Sequence, residues 1–436
     1  MTHKIPGDGR EITVQTLARV EGEGAMRVVV EHGTVTDVQL QIYEPPRFFE
    51  AMLRGRAHTE PPDLTSRICG ICPVAYEMSA CLAIEDACGI TVPDEVQLLR
   101  RLLYCGEWLE SHALHVYLLH LPDFLGYPGA VEMSADHPAV VERGLRLKKA
   151  GNALMSLIGG RAVHPVNVKV GGFYRWPTVS EMSAVRPQLV RALADALETV
   201  TMAAGLDCAD FEQDYEYVAL RSDEPDYPLE SGTFVTSAGH TFPSRDFGEW
   251  VSEQHVARSH ALHASLRGAG PYVVGPLARY SLNHDRLPPV ARQAADAAGL
   301  GPTCRNPFRS IVVRAVELVV ACEEALRIID SWEASGVPSV PVPPQPGVGY
   351  GATEAPRGVL FHRYQLAADG TVLDAQIVPP TSQNLASIED DLRGFVQTRL
   401  HLDDEELTRE CEQAIRNYDP CISCATHFLD LTVERT

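Results

Sequence analysis

The stretch Arg67-Ile68-Cys69-Gly70-Ile71-Cys72 contains two cysteines separated by two residues. A second such pair lies near the other end of the chain, in Asp419-Pro420-Cys421-Ile422-Ser423-Cys424-Ala425-Thr426-His427. One Cys-x-x-Cys pair is a weak signal, but two pairs supply four thiolates, a soft ligand set that suits zinc, an iron–sulfur cluster, or nickel and iron. If all four cysteines bind one centre, the two ends of the chain must meet in space, and this requirement decides the fold.

The composition indicates a folded protein with a large core and an acidic surface. The chain has 436 residues, of which 45% are hydrophobic, with a formal net charge of −21 and a pI of about 5.2. This charge argues against a surface that binds nucleic acid or an anionic membrane. We expect a cytoplasmic protein, because the N-terminus lacks the apolar segment of a signal peptide and no window reaches the roughly 18 uncharged apolar residues of a membrane span.

The 11 cysteines are an odd number, which favours reduced thiols and metal ligands over a disulfide framework. Seven of them show no ligand spacing, and we expect these to be buried, inert thiols. The seven are Cys81, Cys88, Cys105, Cys208, Cys304, Cys322 and Cys411.

The hydrophobic pattern predicts an α+β, mainly α fold, with a large helical bundle as the core and small β hairpins near both termini. One hairpin is expected over Ala25–Glu31 and Thr34–Ile42, and another over Val359–Leu366 and Thr371–Val378, where an Asp-Gly turn joins the strands. Helices are expected at residues 47–56, 96–121, 133–158, 184–206, 289–298, 310–335 and 388–400.

Three irregular segments lie in the C-terminal third. Val337–Pro346 is expected to be a stiff extended connector, because proline is excluded from helix interiors and central strands. Gly347–Gly358 is rich in glycine, but its spacing does not fit a phosphate-binding loop. Pro379–Asn384 is expected to end the second hairpin.

The need to join the two cysteine pairs argues against independent domains. We expect a single interlocked domain over residues 1–436. Its parts are a β-containing region with the first cysteine pair (1–92), a helical core (93–335), and a region with the second hairpin and the second pair (336–436).

The spacing of the cysteines alone leaves several interpretations open. Zinc sites commonly hold their cysteine pairs about 12 to 20 residues apart, much closer than here. A thioredoxin-like redox pair requires a βαβ setting, which the pattern does not predict. On spacing alone, a zinc or iron–sulfur site and a catalytic metal centre are equally supported.

Further motifs follow one another along the chain. They are Arg19-Val20-Glu21-Gly22, Gly159-Gly160-Arg161 with His164-Pro165, Gly275-Pro276-Leu277-Ala278-Arg279, Glu354-Ala355-Pro356-Arg357-Gly358, and Pro380-Thr381 with Asn384. With the two cysteine pairs, this ordered series resembles the large, catalytic subunit of nickel–iron hydrogenases along nearly the whole chain. The chain length and the segment Glu44–Glu50 resemble most the cytosolic, bidirectional group, whose electron partners are often NAD(P)-dependent.

The resemblance implies a nickel ion and an iron ion at the four cysteines, with reversible heterolytic cleavage of dihydrogen as the reaction. Cys72 and Cys424 would bridge the metals, and Cys69 and Cys421 would be terminal nickel ligands. The iron would carry cyanide and carbon monoxide ligands. A vacant coordination position would distinguish this centre from a closed structural site.

The resemblance also assigns roles to residues around the metals. Arg357 would donate hydrogen bonds to one cyanide, and Asp419 would lie close to Arg357. Thr381 and the Pro380 backbone would contact the other cyanide. Glu21 would be the first proton acceptor beyond the sulfurs.

A second metal site, usually magnesium in the family, is implied for Glu50, His427 and a backbone carbonyl near Ile377. A plain salt bridge of Glu50 is the alternative. In the family an endopeptidase often cuts after the histidine that corresponds to His427, so residues 428–436 are expected to be either a maturation peptide or a retained tail.

Two residues depart from the family pattern. Tyr76 stands where many relatives have a histidine, and Ser111 stands where many have an aspartate near the metals. Oxygen tolerance and catalytic bias therefore cannot be carried over from relatives. His112 and His115 are candidates either for contact with the groups around the metals or for ordinary hydrogen-bonded core histidines.

The chain lacks the extra cysteine sets that a wire of iron–sulfur clusters needs. We therefore expect an iron–sulfur small subunit as the electron partner, with flavin and NAD(P) diaphorase subunits beyond it. The alternatives are a metal-free, quinone-binding relative from a respiratory complex, which generally lacks the cysteine pairs, and a zinc-stabilised scaffold.

Overall fold

The computed structural model describes residues 9–44 and 48–426 of the chain. The strands are β1 (Arg10–Val14), β2 (Gly24–Glu31), β3 (Thr34–Ile42), β4 (Val168–Lys169), β5 (Gly172–Phe173), β6 (Val218–Arg221), β7 (Thr233–Thr236), β8 (Thr241–Phe242), β9 (Val251–His255), β10 (Leu262–Leu266), β11 (Gly347–Ala355), β12 (Gly358–Leu366) and β13 (Val372–Val378). The helices are α1 (Phe49–Leu53), α2 (Pro61–Thr65), α3 (Pro73–Ala87), α4 (Asp94–Leu114), α5 (Leu121–Leu125), α6 (Ala130–Asp136), α7 (Pro138–Gly159), α8 (Val179–Ala204), α9 (Phe247–Trp250), α10 (Pro276–Asn283), α11 (Pro289–Ala297), α12 (Ser310–Ser331), α13 (Pro380–Gln397), α14 (Asp404–Arg416) and α15 (Ile422–Ala425).

Four long helices form the centre of the molecule. α4 packs against α7 and α12, and α8 packs against α7 and α12. α12 is buried around almost its whole circumference, including the charged residues Arg314, Glu317 and Glu324. Gly151 lets α7 approach α4 closely, because a Cβ atom there would lie 2.5 Å from the carbonyl oxygen of Gly106.

The helical conformation continues past Leu114, the last residue of α4. A wide, π-helical turn at His115–His120 links it to α5, where Pro122 has no N–H to donate to the preceding turn. The predicted helix at residues 96–121 is therefore α4 and this turn. No helix in the part of the chain that the structure describes is long and apolar enough to cross a membrane.

Small antiparallel sheets surround the helices. β1, β2 and β3 form one three-stranded sheet, and β11, β12 and β13 form another. β11 lies directly on α3, because Gly349 and Gly351 lack side chains; a Cβ atom at Gly349 would overlap the carbonyl oxygen of Ala83. The glycines of segment 347–358 thus permit helix–strand contact and form no phosphate-binding loop.

The predicted α+β, mainly α class is confirmed, and both predicted hairpins are present as β2–β3 and β12–β13. No element was predicted between residues 207 and 288 of the helical core, and there β6 to β10 form two further small sheets within residues 218–266. These strands have two to five residues each, too few to show a clear alternation of apolar side chains.

Two other boundaries were wrong. The helix predicted over residues 133–158 is two helices, α6 and α7, which separate at His137 because the following Pro138 disfavours a helical conformation before it. The hairpin ends before Pro379, as expected, but the helix predicted to begin at residue 388 already begins at Pro380 as α13. Proline is well tolerated there, because the first helical position needs no N–H donor.

Candidate metal centre

The first cysteine pair precedes the N-terminus of α3. Cys69 is in an extended conformation, and Cys72 is the residue before Pro73, the first residue of the helix. The carboxylate of Glu107, which is fully buried on α4, accepts hydrogen bonds from Val74 N (2.7 Å) and Ala75 N (3.2 Å). Glu107 thereby satisfies two N–H groups that a helix N-terminus leaves without partners and fixes the start of α3.

The second pair is held by segments from both ends of the chain. Asp419 has a left-handed backbone conformation, with φ of 52°, and turns the chain into Cys421. Cys421 N donates to the hydroxyl oxygen of Thr381 at 2.9 Å, and Ile422 N donates to the carbonyl oxygen of Glu21 at 2.8 Å. The N-terminal region and α13 therefore position this pair together.

The four cysteines of the two pairs lie together in the interior. All four are buried, and their sulfur atoms lie within 4.8 Å of one another. The sulfurs of Cys69 and Cys421 are 3.5 Å apart, and those of Cys72 and Cys424 are 3.6 Å apart. Two pairs from opposite ends of the sequence thus converge at one point.

The donor set fits soft metals. Four sulfurs without oxygen donors among them suit nickel, iron or zinc, and disfavour magnesium or calcium. Hydrogen bonds from the neighbouring thiols of Cys421 and Cys424 hold the pKa of Cys69 well below its ordinary value. Burial and the neighbouring sulfurs raise the pKa of the other three, Cys72, Cys421 and Cys424. The thiolate is the form of cysteine that binds a metal, and a bound cation would favour that form at all four residues.

Arg357 and Asp419 form a buried ion pair beside the sulfurs. Arg357 Nε donates to the backbone carbonyl of Asp419 at 2.7 Å, and Nη2 donates to its carboxylate at 3.0 Å. Burial opposes the charge of Arg357, but Asp419 and the neighbouring thiolates outweigh burial and raise its pKa above the ordinary value. Its Nη1 is buried and has no hydrogen-bond partner among the described residues, so this charged donor can serve an acceptor bound at the cluster.

Glu21 contacts the second pair through both its backbone and its side chain. Its carboxylate oxygen Oε2 lies 3.1 Å from the sulfur of Cys421 and accepts a hydrogen bond from Ser423 N at 3.0 Å. The Ser423 hydroxyl in turn donates to Glu44 at 2.8 Å. A line of polar groups therefore leads from the sulfur of Cys421 to the carboxylate of Glu44, a residue that is 9% exposed.

Five further residues were predicted to contact a cyanide ligand or to bind magnesium, and four of them are described by the structure. Thr381 is in the first turn of α13, after Pro380, and both are buried beside Cys421. Glu50 accepts a hydrogen bond from Ile377 N at 2.7 Å, so its side chain lies against the strand that carries the carbonyl predicted as a magnesium ligand. His427 and the tail at residues 428–436 lie outside the described residues.

The two departures and the two histidines are all buried on α3, α4 and the turn after it. The Tyr76 hydroxyl has no hydrogen-bond partner in the described part of the chain, and burial together with the nearby thiolate of Cys424 raises its pKa. Ser111 is 1% exposed. His112 Nε2 lies 2.9 Å from a Glu317 carboxylate oxygen, and burial lowers the pKa of this histidine to about 4.

His115 Nε2 contacts the backbone carbonyl of Arg416 at 2.8 Å. Both histidines therefore have structural contacts within the core. The seven cysteines without ligand spacing are free thiols, of which six are buried and Cys208 is half-buried.

Two residues that support the site were not predicted: Glu107 shows no motif, and Arg279 belongs to a motif but had no predicted role. Glu107 is an acidic residue among apolar residues of a long helix, a pattern that can indicate a buried carboxylate. Its partners, Val74 N and Ala75 N, could not be predicted because they lie on α3. Arg279 was quoted as part of a motif, yet its contacts with the Arg357 segment depend on the fold.

Comparisons with known proteins agree with this geometry. The family model described as nickel-dependent hydrogenase matches residues 47–143 and 272–427. Sulfhydrogenase 1 subunit alpha of Pyrococcus furiosus is 34% identical over 425 residues, covering 96% of this chain and 98% of that protein. Sulfhydrogenase 2 subunit alpha of the same organism is 33% identical over 423 residues, covering 96% of this chain and 100% of its own length.

Solved structures give the same result for the fold. The structure of an NAD+-reducing [NiFe]-hydrogenase in the H2-reduced state superposes with a TM-score of 0.87 at 25% sequence identity, covering 96% of this chain and 99% of the other. The [NiFeSe] hydrogenase of Desulfovibrio vulgaris Hildenborough, as its G491S variant, superposes with a TM-score of 0.79 at 25% identity and covers 96% and 99% of the two chains.

Proposed function

Because the chain belongs to the nickel-dependent hydrogenase family, as its catalytic large subunit, we propose that it cleaves dihydrogen reversibly at the four-cysteine cluster and passes the electrons to an iron–sulfur small subunit. The observation that carries this proposal is the convergence of Cys69, Cys72, Cys421 and Cys424 in the interior. We infer that the chain works as a single interlocked domain, since both of its ends supply ligands.

In this proposal Cys69, Cys72, Cys421 and Cys424 would hold the nickel and iron ions. The two metals, when bound, supply an open coordination position at which dihydrogen can be polarised for heterolytic cleavage. The remaining chemistry belongs to the chain: it must accept a proton, hold a fixed positive charge near the metals and exclude bulk water.

Glu21 is proposed to accept the proton from the sulfur of Cys421. The distance of 3.1 Å between its Oε2 and that sulfur is within reach for direct transfer. Ser423 N holds the same oxygen in place, and the Ser423 hydroxyl continues the polar line to Glu44. The proton would leave the sulfur of Cys421 along this line, toward the carboxylate of Glu44.

Arg357 and Thr381 are proposed to orient the iron ligands. Arg357 keeps its charge while buried, and its free Nη1 would donate to the nitrogen of a cyanide ligand. The Thr381 oxygen already accepts from Cys421 N, and its own hydroxyl hydrogen is available to donate to a second cyanide. Asp419 holds the guanidinium of Arg357 in this orientation.

The electrons are proposed to leave through another subunit. Among the described residues, the four cysteines are the one group of three or more potential ligands close enough together to bind a metal. A second cluster that could relay electrons must therefore come from a small subunit. The likeness to an NAD+-reducing [NiFe]-hydrogenase supports NAD(P), reached through flavin-containing diaphorase subunits, as the acceptor of this cytoplasmic enzyme.

Two further assignments complete the proposal. Magnesium is proposed to bind at Glu50 and the backbone near Ile377, with His427 as a third ligand. A maturation endopeptidase is proposed to cleave after His427, and the intact mass of the active protein tests this directly. A chain that ends at Thr436 would exclude cleavage.

Metal analysis and infrared spectroscopy of the purified protein test the central proposal. We expect nickel and iron together, with infrared bands of iron-bound cyanide and carbon monoxide. Zinc alone would support a zinc-stabilised scaffold, and absence of metal would support a quinone-binding relative.

The Glu21→Gln variant tests the proton route. Glutamine keeps the size of the side chain but cannot carry the proton, so the variant is expected to retain both metals and to lose more than about 100-fold of hydrogen/deuterium exchange activity. Glu23→Gln, an exposed neighbour, is the matched control and is expected to behave like the wild type. Normal exchange in Glu21→Gln would remove Glu21 from the route.

A further inference from the structure

Arg279 lies in α10 and is completely buried. All five of its N–H groups have acceptors. Nε and Nη2 each donate to the Glu317 carboxylate at 2.9 Å, and Nη1 donates to the Glu354 carboxylate at 2.9 Å. The two remaining N–H groups donate to the backbone carbonyls of Ala355 at 2.6 Å and Pro356 at 2.9 Å.

These two carbonyls immediately precede Arg357. Trp108 extends the set, because its Nε1 donates to the backbone carbonyl of Glu354 at 3.0 Å and its ring lies 4.4 Å from the guanidinium of Arg279. Three consecutive carbonyls therefore accept hydrogen bonds from one buried arginine and the tryptophan on which it stacks. Such an arrangement fixes the peptide planes on the N-terminal side of Arg357.

The segment needs this support because of its position in the sheet. Ala355 pairs with Gly358 across β11 and β12, so Pro356 and Arg357 are the two central residues of a hairpin turn. Hairpin turns commonly lie at the surface, but here the turn is buried. Gly275, directly before α10, allows the close approach: a Cβ atom there would lie 2.6 Å from the carbonyl oxygen of Arg357.

Glu317 balances the charge of the buried guanidinium. Burial alone would raise its pKa, but Arg279 and His112 lower the pKa of Glu317 to about 2, so the carboxylate is ionised. Both oxygens of this carboxylate bind Arg279, and Tyr227 donates a further hydrogen bond at 2.9 Å. Glu317 thus binds one edge of the planar guanidinium, and two of the other N–H groups donate to the backbone carbonyls of the turn.

We propose that Arg279 is a positioning residue that fixes the Pro356–Arg357 turn, and with it the Arg357 guanidinium, beside the four-cysteine cluster. The proposal rests on the proposed function, in which Arg357 acts on the groups bound there. Lysine cannot replace Arg279, because a single ammonium group lacks the planar fork that reaches two carboxylates and two carbonyls at once.

Backbone hydrogen exchange of the metal-loaded enzyme, with its partner subunits, tests the contact itself. In Arg279→Lys we expect exchange in residues 354–358 to rise by about tenfold or more, the loss that corresponds to one or two buried hydrogen bonds. Arg100→Lys is the matched control, because Arg100 is an equally buried arginine that pairs with the Glu85 carboxylate away from the turn. Unchanged exchange in Arg279→Lys, or an equal rise at residues 354–358 in Arg100→Lys, would overturn the proposal.

Trp108→Phe provides a milder variant in case Arg279→Lys does not fold. It keeps an aromatic ring under Arg279 and removes the hydrogen bond to Glu354 O, together with part of the buried indole. We expect a rise of about threefold to tenfold in exchange, confined to residues 354–358, since a typical hydrogen bond contributes about 1 kcal/mol. Exchange equal to that of the wild type would contradict the role of these carbonyl contacts.

A double-mutant cycle links the contact to catalysis. If Arg279 acts through Arg357, Arg279→Lys should lower kcat about 10- to 100-fold in the wild type but less than about twofold in the Arg357→Lys background. Equal losses in both backgrounds would overturn the positioning role. Failure of the proposed function would appear differently, as a wild-type protein without nickel and iron, whereas the exchange measurement reports on the turn independently of hydrogen turnover.

Discussion

The first cysteine pair stands at the start of a fifteen-residue helix, whereas the second lies at a helix of four residues. The first is stabilised by α3 itself and by one carboxylate, that of Glu107. The second depends on hydrogen bonds to Glu21 and Thr381, which belong to the N-terminal region and to α13. The two pairs have the same Cys-x-x-Cys spacing, but different structural elements hold them in position. The positions of the sulfur atoms therefore depend on the residues that surround each pair.

Because their supports differ, the two pairs should respond differently when the protein is destabilised or loses its metals. The first pair should keep its conformation as long as α3 is folded, because its support is close to the helix start. The second pair should be the more sensitive to changes elsewhere, because three separate segments must pack before its sulfurs reach their positions. Four variants or conditions distinguish the two pairs, and the largest effect is expected where the pairs meet.

Replacing one proposed metal ligand in either pair, as Cys72→Ser or Cys424→Ser, is expected to remove nickel and to lower hydrogenase activity by more than about 100-fold. This loss exceeds the roughly 10- to 100-fold effect typical of losing a residue that only contacts a ligand. Serine offers a hard, protonated oxygen in place of a soft thiolate. The measurement is the nickel and iron content per chain. Cys81→Ser, which alters an equally buried cysteine without ligand spacing, should leave the metals in place. Full nickel content after either ligand change would show that the two pairs do not form one centre.

Glu107→Ala tests the support of the first pair. The change leaves Val74 N and Ala75 N buried without an acceptor, so the free energy of unfolding should fall by about 2–5 kcal/mol. Denaturant unfolding measures the loss, with and without bound metal. Gln97→Ala, at an exposed position on the same helix, is expected to change stability by less than about 0.5 kcal/mol. Equal stability of Glu107→Ala and the wild type would mean that α3 needs no cap.

Thr381→Val tests one contact of the second pair. Valine has the same shape but no oxygen, so Cys421 N loses its acceptor, and we expect a loss of about 1–2 kcal/mol in the free energy of unfolding. Thr381→Ser, which restores the hydroxyl, should recover most of the loss. A cost larger than that of Glu107→Ala would reverse the ranking of the two supports.

The pH dependence of stability tests the segment that leads into the second pair. Tyr418 donates to the Asp391 carboxylate at 2.5 Å, and burial raises the pKa of Asp391 to about 6, although the hydrogen bonds oppose it. Because the pKa in the folded protein exceeds the ordinary value of 3.8, the native state binds the proton more tightly than the unfolded chain does. This contribution is complete below about pH 4 and is lost as the pH rises through about 6.

The asparagine in Asp391→Asn cannot ionise, so this variant should not show the loss of stability that Asp391 causes as the pH rises. When the pH is raised from 4.5 to 7, the wild type is expected to lose about 1–3 kcal/mol more of its free energy of unfolding than Asp391→Asn does. Denaturant unfolding at the two pH values measures the difference. Identical slopes in the two proteins would show that Asp391 does not titrate in this range.

Much of the fold was predictable, because local signals are strong where elements are long. The hairpins β2–β3 and β12–β13 followed from alternation and turn residues, and α11 followed from its proline and the glycine beyond its end. The short strands β6 to β10 carried too few residues to show a period. The strand β11 was hidden by its glycines, which are explained only by its contact with α3.

The sequence by itself determined the family of this protein: the ordered motifs, together with the two cysteine pairs, indicated a nickel-dependent hydrogenase with four cysteines as potential metal ligands. Only the tertiary structure decided which groups touch. Glu107 caps α3, Glu21 reaches the sulfur of Cys421, and Arg279 binds the carbonyls before Arg357. The physical reason is that ligand identity is a property of side chains, whereas hydrogen bonds between distant segments depend on how helices and sheets pack.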